Sequence, residues 1–171
     1  MSDPLPLLCC VDVDYRGDHA VAAAILFLDW GSGSPLAQHV VTVRGVAPYR
    51  PGAFYERELP CILEVLARNH WPLAAIVVDG FVWLGVGEPG LGARLFAELG
   101  ERVPVIGVAK NPYRGAPAVE VRRGSSHKPL FVTAAGMEGA AAAACVARMH
   151  GEHRLPTLLK EVDRLCRERE G

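Results

Sequence analysis

The chain has 171 residues, half of them apolar and 22% charged, with a formal net charge of −1. Such a chain is long enough to bury one core and too apolar for a disordered, collagen-like or coiled-coil protein. The small net charge hides an asymmetry: residues 1–101 carry 6 basic and 12 acidic side chains, residues 102–128 carry 6 and 1, and residues 129–171 carry 6 of each.

In chain order, Leu7 to Asp14 is a short apolar run that ends in turn-type residues. Ala20 to Trp30 is a longer run, and Gln38 to Val46 is β-branched with partial alternation. Three successive strands predict an antiparallel meander. Pro48, Pro51 and Gly52 break the chain before a helical stretch from Phe54 to Asn69, where Leu59, Ile62, Leu63, Leu66 and Ala67 recur at helical spacing. The buried strand Ala74 to Asp79, a Gly-rich loop, a helix at Leu91 to Leu99 and a second buried strand, Val105 to Ala109, form a parallel βαβ pattern with its functional edge at the carboxyl ends of the strands. Irregular or hairpin structure around Val119 to Arg123, a strand at Pro129 to Thr133 and helices at Glu138 to Met149 and Pro156 to Glu168 complete the reading. The expected fold is α/β: a mixed central sheet of three antiparallel strands and then parallel βαβ units, flanked by helices, which is the element order of an RNase H-like fold.

No linker or repeat divides the sequence, so one domain over residues 1–171 is expected, and a monomer. No apolar run approaches the roughly 18 residues of a membrane span, and the start lacks a basic n-region, which predicts a cytoplasmic protein without a membrane partner. The five cysteines, at positions 9, 10, 61, 145 and 166, contain no Cys-x-x-Cys spacing and mostly fall in apolar stretches, as core thiols do.

Asp12 stands inside an expected core strand, where an unpaired carboxylate costs several kcal/mol. A salt bridge to an arginine would offset that cost, and so would a metal ion. Asp14 has the same strand parity and fits a turn to Tyr15 or a supporting ligand. Asp79 ends a buried strand and is followed by Gly80, which permits close backbone approach. Glu58 lies early in the first helix, where acids suit the positive end of the dipole. If the first strand neighbours the strand ending at Asp79, with the helix packed over them, Asp12, Glu58 and Asp79 converge. Three hard oxygen ligands without a His or Cys cluster fit Mg²⁺, or Mn²⁺ in its place. Lys110, at the end of the next strand, would face a phosphate there or be merely solvated. Tyr49, set between Pro48 and Pro51, is either part of a turn before the helix or a wedge that opens a base stack. Arg114, Arg122, Arg123 and Lys128 lie in the basic segment and suit a nucleic-acid backbone. The histidines show no metal-ligand spacing.

Together these residues resemble the endonuclease V family, deoxyinosine-directed nucleases of RNase H-like fold. The motifs run in order: Val-Asp-Val-Asp-Tyr at 11–15, Pro-Tyr-Arg-Pro-Gly at 48–52, Arg-Glu-Leu-Pro at 57–60, Val-Asp-Gly at 78–80, Val-Ile-Gly-Val-Ala-Lys at 105–110, Lys-Pro-Leu-Phe-Val at 128–132 and Arg-Leu-Pro at 154–156. The resemblance implies that Asp12, Glu58 and Asp79 are the metal-binding acids, Lys110 the phosphate-contacting lysine, and Pro48, Tyr49 and Pro51 the strand-separating wedge. It implies a Mg²⁺-dependent endonuclease of DNA repair. Its cut would fall at the second phosphodiester 3′ of inosine, in DNA or in RNA, leaving 3′-hydroxyl and 5′-phosphate ends. Two departures stand out. Many family members have His after the Asp-Gly and a Gly-His before the C-terminal helical region, where this chain has Phe81 and Gly136-Met137. Residues 82–90 also differ. These departures leave open a second reading, a nucleic-acid-binding relative that does not cleave. A small-molecule phosphohydrolase would leave the wedge and the basic segment without a purpose.

Overall fold

The computed structural model describes residues 2–168. β1 (Leu7–Arg16), β2 (His19–Phe27) and β3 (Ala37–Arg44) form the antiparallel meander. After α1 (Phe54–Leu66) comes β4 (Leu73–Asp79), which returns parallel to β1. A small hairpin of β5 (Trp83–Gly85) and β6 (Glu88–Pro89) precedes α2 (Leu91–Glu98), and β7 (Val105–Ala109) then lies parallel to β4. β8 (Val119–Val121) and β9 (Leu130–Ala135) follow, and the chain closes with α3 (Gly139–Arg148) and α4 (Thr157–Glu168). The seven-stranded sheet has the order β3-β2-β1-β4-β7-β9-β8. The parallel pairings are β1 with β4 and β4 with β7, whereas β9 pairs antiparallel with both β7 and β8.

Strand parity divides the core into two layers. Leu7, Cys9 and Val11 of β1 and Ile76 and Val78 of β4 pack under α1 and α2. Leu8, Cys10, Ala75 and Val77 pack under α3 and α4. Side chains alternate faces along a strand, so Asp12 continues the parity of Leu8 and Cys10, and Asp79 that of Ala75 and Val77. Both acids therefore end their strands on the α4 side of the sheet, at its carboxyl edge. Four of the five thiols, Cys9, Cys10, Cys61 and Cys166, are buried, and Cys145 is half-buried.

The boundaries differ from the sequence reading where side chains satisfy local backbone. β1 continues to Arg16, whose guanidinium reaches the Asp14 carboxylate at 3.0 Å, so the turn falls at Gly17 and Asp18. β2 stops at Phe27, because Asp29 accepts backbone N–H bonds from Gly31 and Ser32 and folds the chain away from the sheet. The β5–β6 hairpin occupies the stretch read only as a Gly-rich loop.

The segment after β4 crosses close over β7. The Val82 N–H donates to the buried Thr133 hydroxyl at 2.8 Å, and a Cβ on Gly107 would lie 2.5 Å from the Gly80 carbonyl oxygen. The close approach is thus provided by Gly107. Gly80 itself has open space around a would-be Cβ; its requirement is the left-handed φ of +96° that turns the chain out of the sheet. No helix among the described residues is long and apolar enough to cross a membrane.

Candidate carboxylate centre and nucleic-acid interface

Four acids from four elements lie near enough at the carboxyl edge of the sheet for their charges to act on one another, and Asp12, Glu58 and Asp79 line one cleft. Asp12 comes from β1, Glu58 from the N-terminal half of α1, Asp79 from the end of β4 and Asp163 from α4. Asp12 and Asp163 share a side-chain hydrogen bond. Ligand atoms of Asp12, Asp163 and Cys166 all lie within 4.8 Å of one another. Asp163 is the acid that the sequence reading missed. The available signal was its position: Leu159, Val162 and Cys166 occupy the same stripe of α4 at i−4, i−1 and i+3, so Asp163 borders the face that packs on the sheet.

The electrostatics show the cost of this assembly. Burial, then the charge of Asp79 and the hydrogen bond from Asp163, push the Asp12 carboxyl up to about 7, against one backbone N–H bond from Val13. Glu58 is 5% exposed, its Oε2 has no hydrogen-bond partner, and burial with the charges of Asp12 and Asp79 pushes it up to about 8. Arg57 eases that shift; its guanidinium lies 3.8 Å from the centroid of the Tyr15 ring. Asp79 is more open to solvent, yet desolvation still holds it above the usual carboxylate range. Lys110 lowers it and Asp163 raises it. The Cys166 thiol is pushed up to about 12 by burial and by Asp12 and Asp163.

A buried carboxylate oxygen without a donor, inside a set of mutually repelling acids, fits a divalent cation of the hard, oxygen-seeking kind. Asp12, Glu58, Asp79 and Asp163 are the residues that would hold it. One side of the centre opens into a cleft of about 490 Å³ whose lining includes Asp12, Glu58, Asp79, Gly80, Phe81 and Arg94.

The other residues singled out from sequence are exposed outside the lining of this cleft, with one exception. Lys110 is exposed at the end of β7, close enough for its charge to act on Asp79. Arg154 donates to the carbonyls of Lys110 and Pro129 and so ties the basic segment to the strand end. Pro48, Tyr49 and Pro51 are exposed; Tyr49, at 60%, meets Phe54 edge to face with centroids 6.5 Å apart, and Gly52 and Phe54 line the cleft. Arg114, Arg122 and Lys128 are exposed. Arg123 is the exception and corrects the expectation of a phosphate contact. It is 6% exposed, and its guanidinium donates to the carbonyls of Met149, Gly151, His153 and Arg154, where it closes the end of α3 from within. Of the two positions that depart from the family pattern, Phe81 packs on Tyr113 with centroids 5.8 Å apart in the cleft wall, and Met137 packs against the core beneath α3 and α4.

A family model described as Endonuclease V matches residues 1–147. The chain belongs to the endonuclease V family. The endonuclease V of Streptomyces coelicolor is 34% identical over 92% of this chain and 76% of its own length. The crystal structure of Streptomyces avermitilis endonuclease V superposes with a TM-score of 0.75 at 27% identity, covering 96% of this chain and 82% of that one. Ciona intestinalis endonuclease V, solved in complex with a 23-mer DNA containing an inosine followed by a ribo-adenosine, shares the fold at 16% identity with a TM-score of 0.77, over 95% of this chain and 84% of its own. Endonuclease V proteins are nucleases, and the reaction of the family is hydrolysis of phosphodiester bonds in nucleic acid.

Proposed function

We propose that this chain is a Mg²⁺-dependent endonuclease that cuts nucleic acid on the 3′ side of a deaminated purine, deoxyinosine or inosine, as a repair activity. The observation that carries the reading is Glu58: a buried carboxyl with an unpartnered oxygen, close enough to Asp12 and Asp79 for their charges to act on it. The inosine in the DNA bound by the Ciona intestinalis relative supports the choice of lesion.

In this reading Asp12, Glu58, Asp79 and Asp163 hold the cation, and Asp12 and Glu58 give up their protons as they bind it. A bound divalent cation activates water and stabilises the leaving oxygen of a phosphodiester. Lys110 holds the phosphate against Asp79 by its fixed charge. Tyr49, stiffened by Pro48 and Pro51 and propped by Phe54, separates the stack beside the lesion. Gly80 turns the backbone out of the sheet so that Phe81 reaches the cleft, while Arg114, Arg122 and Lys128 contact the sugar-phosphate backbone. A second reading, a binding protein that does not cleave, rests on the resemblance to the family, which implies histidines where this chain has Phe81 and Gly136-Met137.

Incubation with Mg²⁺ and end-labelled oligonucleotides carrying one deoxyinosine, one inosine or neither separates the readings. The proposal expects cleavage one nucleotide beyond the lesion with 3′-hydroxyl and 5′-phosphate ends. Binding of the lesion strands with no product at any divalent-ion concentration would favour the second reading.

A further inference from the structure

Arg94 is a cation in the cleft that the chemistry above does not use. It extends from α2, and its Cζ lies 3.6 Å from the centroid of the Tyr55 ring. Both residues line the same cleft as Asp12, Glu58 and Asp79. Its Nε is buried without a partner, and among the described residues no carboxylate or carbonyl accepts from its side chain. Arg57 is the cation that counters Glu58, so Arg94 is not needed to balance the acids.

The surroundings select the ligand. Phe81 and Tyr113 pack together in the cleft wall, and Leu84 and Leu91 line it as well. Such walls stack on a planar base and would strip water from a phosphate without replacing it. The Tyr55 ring beneath Cζ restrains the Arg94 guanidinium, and with Nε buried its two Nη groups are the donors left for a ligand. Those donors match a planar pair of acceptors. We propose that Arg94 determines specificity by donating to O6 and N7 of an oxo-purine base held in this cleft, an inference that rests on the deaminated-purine reading above. Adenine presents an amino donor at C6 and would meet the guanidinium donor to donor, whereas hypoxanthine presents two acceptors. Arg94 thereby distinguishes the lesion from the base it derives from.

Binding is measured by fluorescence anisotropy with Ca²⁺ in place of Mg²⁺, on single strands identical except for one base: hypoxanthine, unsubstituted purine, which lacks O6, or adenine. Wild type is compared with Arg94→Lys, which keeps the charge and loses the planar fork, and with Arg94→Gln, each verified by its thermal melt. Wild type is expected to prefer hypoxanthine. Both variants should lose about 5- to 150-fold in affinity for the hypoxanthine strand and clearly less for the purine strand, which keeps N7 alone. Equal losses on all three strands, with the salt slope lower by about 1 in Arg94→Gln, would make Arg94 a phosphate contact and overturn the inference. Variants that keep the wild-type preference would overturn it as well and leave the deaminated-purine reading standing. Wild type that binds hypoxanthine and purine strands equally would overturn that reading together with the role of Arg94.

Discussion

Glu58 is a carboxyl that the fold removes from water and leaves half unpartnered, and that choice is measurable as a pH dependence. In the unfolded chain it titrates near its ordinary 4.5, in the folded protein near 8, and Asp12 shifts in the same direction, from 3.8 to about 7. Between those limits the folded, metal-free state binds more protons than the unfolded state, so stability falls as pH rises through the window. With a chelator present, Tm should decrease from about pH 5 to about pH 8. Mg²⁺ should raise Tm more at the alkaline end, and Glu58→Gln should flatten the curve. A metal-free Tm that rises over this range would contradict the assigned burial. Arg122 and Arg123 make the second residue-scale contrast. Arg123→Ala leaves four carbonyl acceptors without their donor and should cost about 3 kcal/mol or more, read as a lower denaturation midpoint. Arg122→Ala should melt like wild type and lower the salt slope of nucleic-acid binding by about 1.

Among the elements, α4 is the one whose role the structure changes. Read from sequence only as the last helix, it covers the sheet; with Asp163 set against Asp12, it also supplies the fourth wall of the carboxylate centre. Arg16 of β1 donates to the carbonyls of Cys166 and Arg167 and fixes the end of α4 to the strand that carries Asp12. Asp163→Asn should therefore weaken Mg²⁺ by about tenfold or more in calorimetric titration, while the metal-free protein melts no lower than wild type. An unchanged affinity would remove Asp163 from the centre. What could be read from sequence and what could not divides along physical lines. β1, β4 and β7 were legible because they are continuous apolar runs, and Asp12 and Asp79 stood out as charges inside them. α1 was legible from its period. Asp163 was not, because an acid in an amphipathic helix looks solvated until the helix is docked. Arg123 looked like its exposed neighbour Arg122 for the same reason: only the packed end of α3 shows which guanidinium is enclosed. The β5–β6 hairpin is too short to leave a period in the sequence.

Over the whole molecule, the charge asymmetry acquires a geometry. The acids of β1, α1, β4 and α4 lie at one edge of the sheet, and the basic residues that follow β7 begin at that same edge with Lys110. A polyanion can approach such an edge only where a cation neutralises the carboxylates, which couples metal and substrate in one place. The central claim is that this carboxylate centre performs metal-dependent hydrolysis, and it is tested most directly by single-turnover cleavage of an inosine-containing strand against Mg²⁺ concentration, with strand affinity measured alongside. Wild type should be silent with a chelator and recover with Mg²⁺. Asp79→Asn, nearly unchanged in volume, should bind the strand as wild type does and cleave it about a hundredfold or more slowly. Cleavage that survives the chelator, or that Asp79→Asn leaves undiminished, would contradict the account.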